Sequence, residues 1–219
     1  GLVDRLAALA PDHIAFTGDL TNLALPSEFR AGVALLARLG DGDALSAIPG
    51  NHDAYTGGAV RSARGERAIS AWAGGTTGRA DYPFVKAPRP WLRIYGLSSA
   101  IAAPPMIAWG QVGAAQLDRL QAAVAAEGPE VKVRIAMVHH NLHRRGPLAQ
   151  LTSSLRDGDA LAATLVRLGF DAVLHGHTHA PHLAHLGDDP CGVLVLGCGS
   201  STWYRPGHGQ WAHFNLLTL

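Results

Sequence analysis

Two cysteines, Cys191 and Cys198, are all the chain has. They do not form a C-x-x-C pair, which excludes that class of redox or zinc motif. They read as two small side chains on neighbouring strand segments, and a chain of 219 residues can bury a core without a disulfide framework. Charge of one sign is equally scarce. Eighteen Lys+Arg against 17 Asp+Glu give a formal net charge of +1, too little for bulk nucleic-acid binding or a polybasic membrane contact. No apolar run approaches the ~18–20 residues of a membrane span. The longest candidate, residues 100–109, is broken by Pro104-Pro105. There is no signal-peptide pattern, internal repeat or dividing linker, so the expectation is one cytoplasmic domain over residues 1–219. The chain also starts without methionine: Gly1 leads directly into what reads as the inside of a helix, as if a first strand were missing.

What is plentiful is apolar residues, 47% of the chain, and histidine, 12 residues. The apolar residues fall into alternating elements. Helices are expected over residues 2–10, from Pro26 to a stop at Gly40, over 61–72, over 114–126, and from a cap at Asp157 or Asp159 to Gly169. Strands are expected at 14–16, 44–48, 82–85, 91–97, 131–138 and 172–174, then at 181–186, 193–196 and 211–217. This order predicts an α/β fold in which helices cover a sheet.

Four segments rich in metal-competent side chains occur where apolar strands run into loops: Gly18-Asp19-Leu20-Thr21-Asn22, Gly50-Asn51-His52-Asp53, Val138-His139-His140 and Gly176-His177-Thr178-His179. Open α/β sheets collect their sites at the C-terminal ends of strands. Asp19 is suited to bridge two ions, because each carboxylate oxygen can hold one. Asn51 can give an amide oxygen. His139, His177 and His179 give imidazole nitrogens suited to Mn, Fe, Zn, Co or Ni. The spacing of His177 and His179 predicts two rings on the same side of an extended backbone.

In this order the segments resemble the calcineurin-like metallophosphoesterase superfamily, and in particular its class III cyclic-nucleotide-phosphodiesterase-like branch. A Leu-Ser-Ser strand end at residues 97–99 is similar as well. The resemblance implies a four-layer sandwich, with two mixed β-sheets face to face between helices. It also implies two divalent or trivalent metal ions and hydrolysis of a phosphodiester or phosphomonoester by in-line attack of a metal-bridging hydroxide. On that reading Asp19 bridges, Asn51, His139 and His177 complete the second metal's shell, and His179 serves the first. His52 resembles the catalytic histidine that contacts the phosphate and protonates the leaving oxygen, with Asp53 on its other ring nitrogen. Asn22 secures the Asp19 loop.

Two departures follow. The family's D-x-H segment, which would give the first metal an aspartate and a histidine, is absent from the chain, leaving that metal Asp19 and His179. The proline usual after the double histidine is Asn141. The expected partner is a small-molecule phosphoester, and the motifs leave its leaving group open. The other reading is a catalytically weakened scaffold that binds a protein. An amidohydrolase would carry its H-x-H on the first strand, and a metallo-β-lactamase would continue it as H-x-H-x-D-H; both fail.

His140 reads as placed behind the ligands or facing substrate, and His175 as a core residue or one placed behind the ligands. His143 and Arg144 read either as a solvated loop or as rim contacts to phosphate or base. Trp203, Tyr204, Arg205 and His208 read either as a substrate wall or as part of a subunit contact in an oligomer.

Overall fold

The computed structural model describes the chain except residues 76–77, 105, 144–145, 188–191 and 203–211. Arg144, Cys191 and the Trp203, Tyr204, Arg205 and His208 loop therefore lie outside the described residues.

The central element is a six-stranded mixed sheet. Its strands are β3 (Phe84–Arg89), β4 (Leu92–Gly96), β5 (Val133–Met137), β6 (Ala172–His175), β7 (His182–Leu186) and β8 (Val193–Gly197). They lie in the order β3-β4-β5-β6-β8-β7, with parallel pairing from β4 to β8 and antiparallel pairing at both edges. A second, two-stranded parallel sheet joins β1 (Ile14–Phe16) to β2 (Leu45–Ala47).

Period-two alternation sends the strands' side chains into two cores. Ile94, Ile135 and Met137 join Leu36, Leu45, Ala47 and Ile48 between the two sheets. Their chain neighbours Tyr95, Ala136 and Val138 point the other way. There they meet Leu117 and Leu120 of α5 (Ala114–Ala125) and Leu161 and Leu165 of α7 (Gly158–Arg167). Burial on both faces explains why the central strands read as unbroken apolar runs. α2 (Pro26–Leu36) adds Leu36 to the first of these cores; it starts with proline at its first turn, and Glu28 accepts from the Leu23 and Leu25 amides ahead of it. The layers are those of the expected sandwich, except that the smaller sheet has two strands, both parallel.

Several elements differ from expectation. The helix expected over 61–72 is three pieces, α3 (Gly57–Arg61), α4 (Arg64–Ala68) and a 3-10 turn at Ser70–Trp72. Ala63, with φ 49°, breaks it between the first two. Asp157 does stand at the start of α7, but its carboxylate accepts from the Val112 and Gly113 amides and ties α7 to the start of α5. A short α6 (Pro147–Thr152) lies where no helix was expected. The strand expected at 211–217 does not form among the described residues 212–219. The terminal segment meets the chain at and just after the end of β8, with Asn215 Nδ2 donating to the Gly197 carbonyl at 3.2 Å and the Gly199 amide donating to His213 Nε2 at 2.9 Å. α1 (Leu2–Ala8) forms and buries none of its residues. Cys198 is free and half-buried. No helix among the described residues is long and apolar enough to cross a membrane.

Candidate metal centre

The four segments follow β1, β2, β5 and β6, whose parallel pairing within each sheet brings their C-terminal ends to one edge. Four of the five expected ligands meet there. His139 Nε2 lies 3.2 Å from Asp19 Oδ2 and 3.1 Å from Asn51 Oδ1. His177 Nδ1 lies 2.9 Å from the same Asn51 oxygen. His139 and Asn51 are buried.

The outer nitrogens of these rings define the chemistry. His139 Nδ1 donates to the Thr17 carbonyl at 2.7 Å, and His177 Nε2 donates to the Ser153 carbonyl at 3.1 Å. Asn51 Oδ1 and Asp19 Oδ2 on the inner side only accept, as the two carbonyls do, so a neutral ring with one proton cannot donate on both sides. A cation among the inner nitrogens and these oxygens would satisfy both, leaving the single proton of each ring for the outer carbonyl. Outward hydrogen bonds to backbone carbonyls that fix the tautomer are the usual support of a metal-binding histidine. The electrostatics call for positive charge at the same place. Burial opposes the charge on Asp19, but the facing His139 and nearby His52 more than offset it and hold the carboxyl well below the usual range. Burial likewise opposes charge on His139, yet Asp19 and the hydrogen bonds raise it above its ordinary value. The donor set therefore fits a cation. Among the described residues no three His, Cys, Asp or Glu side chains stand as a metal site by themselves; the fourth donor here is the Asn51 amide.

The backbone at this edge is strained. Gly18 has φ 100°, Asp19 59°, His177 60° and His179 53°. The two histidines of Gly176-His177-Thr178-His179 thus do not sit on an extended backbone, as their spacing suggested. They occupy alternate left-handed positions of a turn, a conformation that costs of order 1–3 kcal/mol per residue and clusters at functional sites. His179 shares this turn and is half-buried.

His52 opens the 3-10 turn His52–Ala54. Its amide donates to Asp19 Oδ1 at 2.9 Å, and its Nδ1 donates to the Asn22 carbonyl at 2.7 Å. Asn22 thus holds the ring through its backbone, while its side chain is exposed. Asp53 does not hold His52, contrary to expectation. Its buried carboxylate accepts from the Gly50, Thr21 and Leu20 amides at 2.9, 2.9 and 3.2 Å and from Thr21 Oγ1 at 2.9 Å. It pins the Asp19 loop to the Asn51 loop, because unpaired amides at two strand ends outcompete a ring that already has a carbonyl partner. Burial and the charge of Asp19 raise the Asp53 pKa against those hydrogen bonds. Asp53→Asn should therefore destabilise the fold by about 2–3 kcal/mol, by turning an NH2 towards amide donors, and leave the His52 tautomer unchanged. Chemical denaturation with ring 15N spectra checks both.

His140 is fully buried and bonded at both nitrogens, to Ser99 and to the Ala108 carbonyl. Burial, with His139 and His177 beside it, pushes its pKa well below the ordinary value. It does not face substrate. His143 stacks on His182 with ring centroids 3.6 Å apart and lies 5.5 Å from His175. It also lines a polar cavity of about 130 Å³ with Asn141, Ser153 and Arg156, behind the His177 ring. His175 is buried, as expected, and burial pushes its pKa down to about 4. The roles of Ala108 and Ser153 carried no sequence signal, since both act through backbone carbonyls, whereas Ser99 lies in the Leu-Ser-Ser strand end that the sequence did mark.

Residues 2–181 match the calcineurin-like phosphoesterase family. The chain belongs to that family. A dimetal phosphatase from Danio rerio shares the fold with a TM-score of 0.60 at 13% identity, over 90% of this chain and 75% of that one. A purple acid phosphatase from yellow lupin (Lupinus luteus) seeds shares it with a TM-score of 0.64 at 14% identity, over 90% of this chain and 38% of that one. UDP-2,3-diacylglucosamine hydrolases of Xanthomonas campestris and Xanthomonas oryzae are 45% identical over 47 residues. That segment is 20% of this chain and 17% of the length of those relatives.

Proposed function

We propose that this protein is a metal-dependent phosphoester hydrolase whose centre is held by Asp19, Asn51, His139 and His177, with His179 and Asp19 serving a second ion. The observation that carries this reading is that His139 Nε2 and His177 Nδ1 converge on the Asn51 oxygen while both outer nitrogens face carbonyls, so each ring meets acceptor oxygens on both sides, an arrangement a cation would satisfy. The fold family and the dimetal phosphatase neighbour support it.

When bound, such ions lower the pKa of water towards neutrality and neutralise phosphoryl oxygens. The chain's own residues supply the rest. Asp19 is the single anion among the four clustered donors and sets the charge of the site. His52 is anchored through Nδ1 to the Asn22 carbonyl, which leaves Nε2 to meet a phosphoryl or leaving oxygen. In that position a ring protonated at both nitrogens would give its Nε2 proton to the departing alkoxide as water attacks phosphorus in line, and would keep the Nδ1 proton on the Asn22 carbonyl. No nucleophilic serine or cysteine is needed.

Chelation followed by dialysis should remove hydrolysis of bis(p-nitrophenyl) phosphate, and Mn2+ should restore it. His52→Ala should keep the bound metal and lose about 10²–10⁴-fold in kcat. UDP-2,3-diacylglucosamine is the second substrate to assay, on the strength of the local match. Absence of turnover with Mn2+ bound on all of these esters would overturn the reading.

A further inference from the structure

β4 and β5 run parallel with Gly96 opposite Met137, so three residues further on Ser99 comes to lie beside His140. Ser99 Oγ donates to His140 Nδ1 at 2.8 Å, and His140 Nε2 donates to the Ala108 carbonyl at 3.1 Å. The carbonyl can only accept, so the ring proton is on Nε2, and Nδ1 takes the hydroxyl proton of Ser99. Neither nitrogen remains for a metal or a substrate. Ser99 and the ring are both fully buried. Gly110 closes over the ring so tightly that a Cβ there would lie 2.3 Å from Nδ1.

The other side of the His140 ring rests on His177, with centroids 4.4 Å apart and planes at 38°. A second route joins the same two residues. The Ala108 amide donates to the Thr152 carbonyl at 2.8 Å, and the Gly110 amide donates to the Ser154 carbonyl at 3.0 Å. Between them, the Ser153 carbonyl accepts from His177 Nε2. His140, the loop after β4, the segment after α6 and His177 therefore form a closed ring of contacts.

We propose that His140 is a positioning residue that, locked by Ser99, holds the His177 ring with Nδ1 turned to Asn51. The inference rests on the reading of this edge as a metal centre. If His140 merely filled space, a flat apolar ring would serve as well and the Ser99 hydroxyl would be dispensable.

The test uses the whole chain as wild type, Ser99→Ala, Ser99→Thr and His140→Phe, with folding checked by circular dichroism. Bound Mn2+ is counted by loss of its free electron-spin-resonance signal. Ser99→Ala and His140→Phe should weaken Mn2+ binding about 10–100-fold, the scale found for residues supporting a metal-bound histidine, and Ser99→Thr should restore it by keeping the hydroxyl. Long-range 1H–15N spectra of the metal-free protein give an independent reading. The share of the His177 proton between Nδ1 and Nε2 should differ between wild type and Ser99→Ala, because a ring released from His140 changes its distances to the Asn51 and Ser153 oxygens. A folded Ser99→Ala protein with the His177 tautomer of wild type overturns the proposal, even if His140→Phe fails to fold. A wild type that binds no Mn2+ counts against the metal reading instead, and the tautomers then decide the role of His140 by the same criterion.

Discussion

Asp19→Asn is expected to lower kcat/KM for a chromogenic phosphodiester by at least about 10²–10³-fold, the range seen when one preorganised electrostatic group is removed from an active site. The change is nearly isosteric, so the loop that Asp53 pins can stay in place. It does remove the only anion among the four donors that meet at the sheet edge. His139 is held above its ordinary pKa chiefly by the charge of Asp19 acting against burial, so its ring should fall back towards neutrality. Two neutral imidazoles and two amides form a much poorer cation site, because the attraction that offsets the ion's desolvation is lost. The measurement is turnover at saturating Mn2+ together with bound metal per chain. A variant within about tenfold of wild type in both would show that Asp19 does not set the charge of the centre.

Gly50→Ala should damage the same centre through sterics alone. A Cβ at position 50 would stand 2.1 Å from Asp19 Oδ1 and 2.5 Å from the Asp19 amide nitrogen. The second contact is with backbone, which cannot swing aside as the end of a side chain can. Asp19 already has φ 59°, so its loop has little conformational slack. Overpacking of this kind typically costs about 1–3 kcal/mol. The larger consequence is geometric: moving Asp19 away from His139 separates the donors and should reduce metal affinity more than stability. Thermal melts and Mn2+ titration on the same preparation separate these effects. Wild-type metal affinity in Gly50→Ala would mean that the close packing of the two strand ends is not what places Asp19.

Much of the fold could be read from the strand periodicity. Residues such as Ile135, Ala136 and Met137 alternate between two cores, and a strand buried on both faces leaves a continuous apolar run. The 61–72 segment was misread because its pattern is helical on both sides of Ala63, and a single left-handed residue leaves no trace in a periodicity. The missing terminal strand has a different cause. Its alternation suits a strand, but alternation does not supply a partner, and the described residues 212–219 pair with no strand.

The sequence by itself determined which donors are available and that each follows a strand: Asp19 after β1, Asn51 and His52 after β2, His139 after β5, and His177 and His179 after β6. Only the tertiary structure decided which atom faces which. His139 is oriented by a carbonyl 122 residues away, and His177 meets an amide 126 residues away. Asp53 bonds amides of the neighbouring loops rather than the ring beside it in the chain, and His140 turns to Ser99 and Ala108 rather than to the centre. Hydrogen-bond partners are chosen by burial and geometry, because an unpaired amide or ring nitrogen in the interior is costly. That competition is settled only when distant strand ends come together.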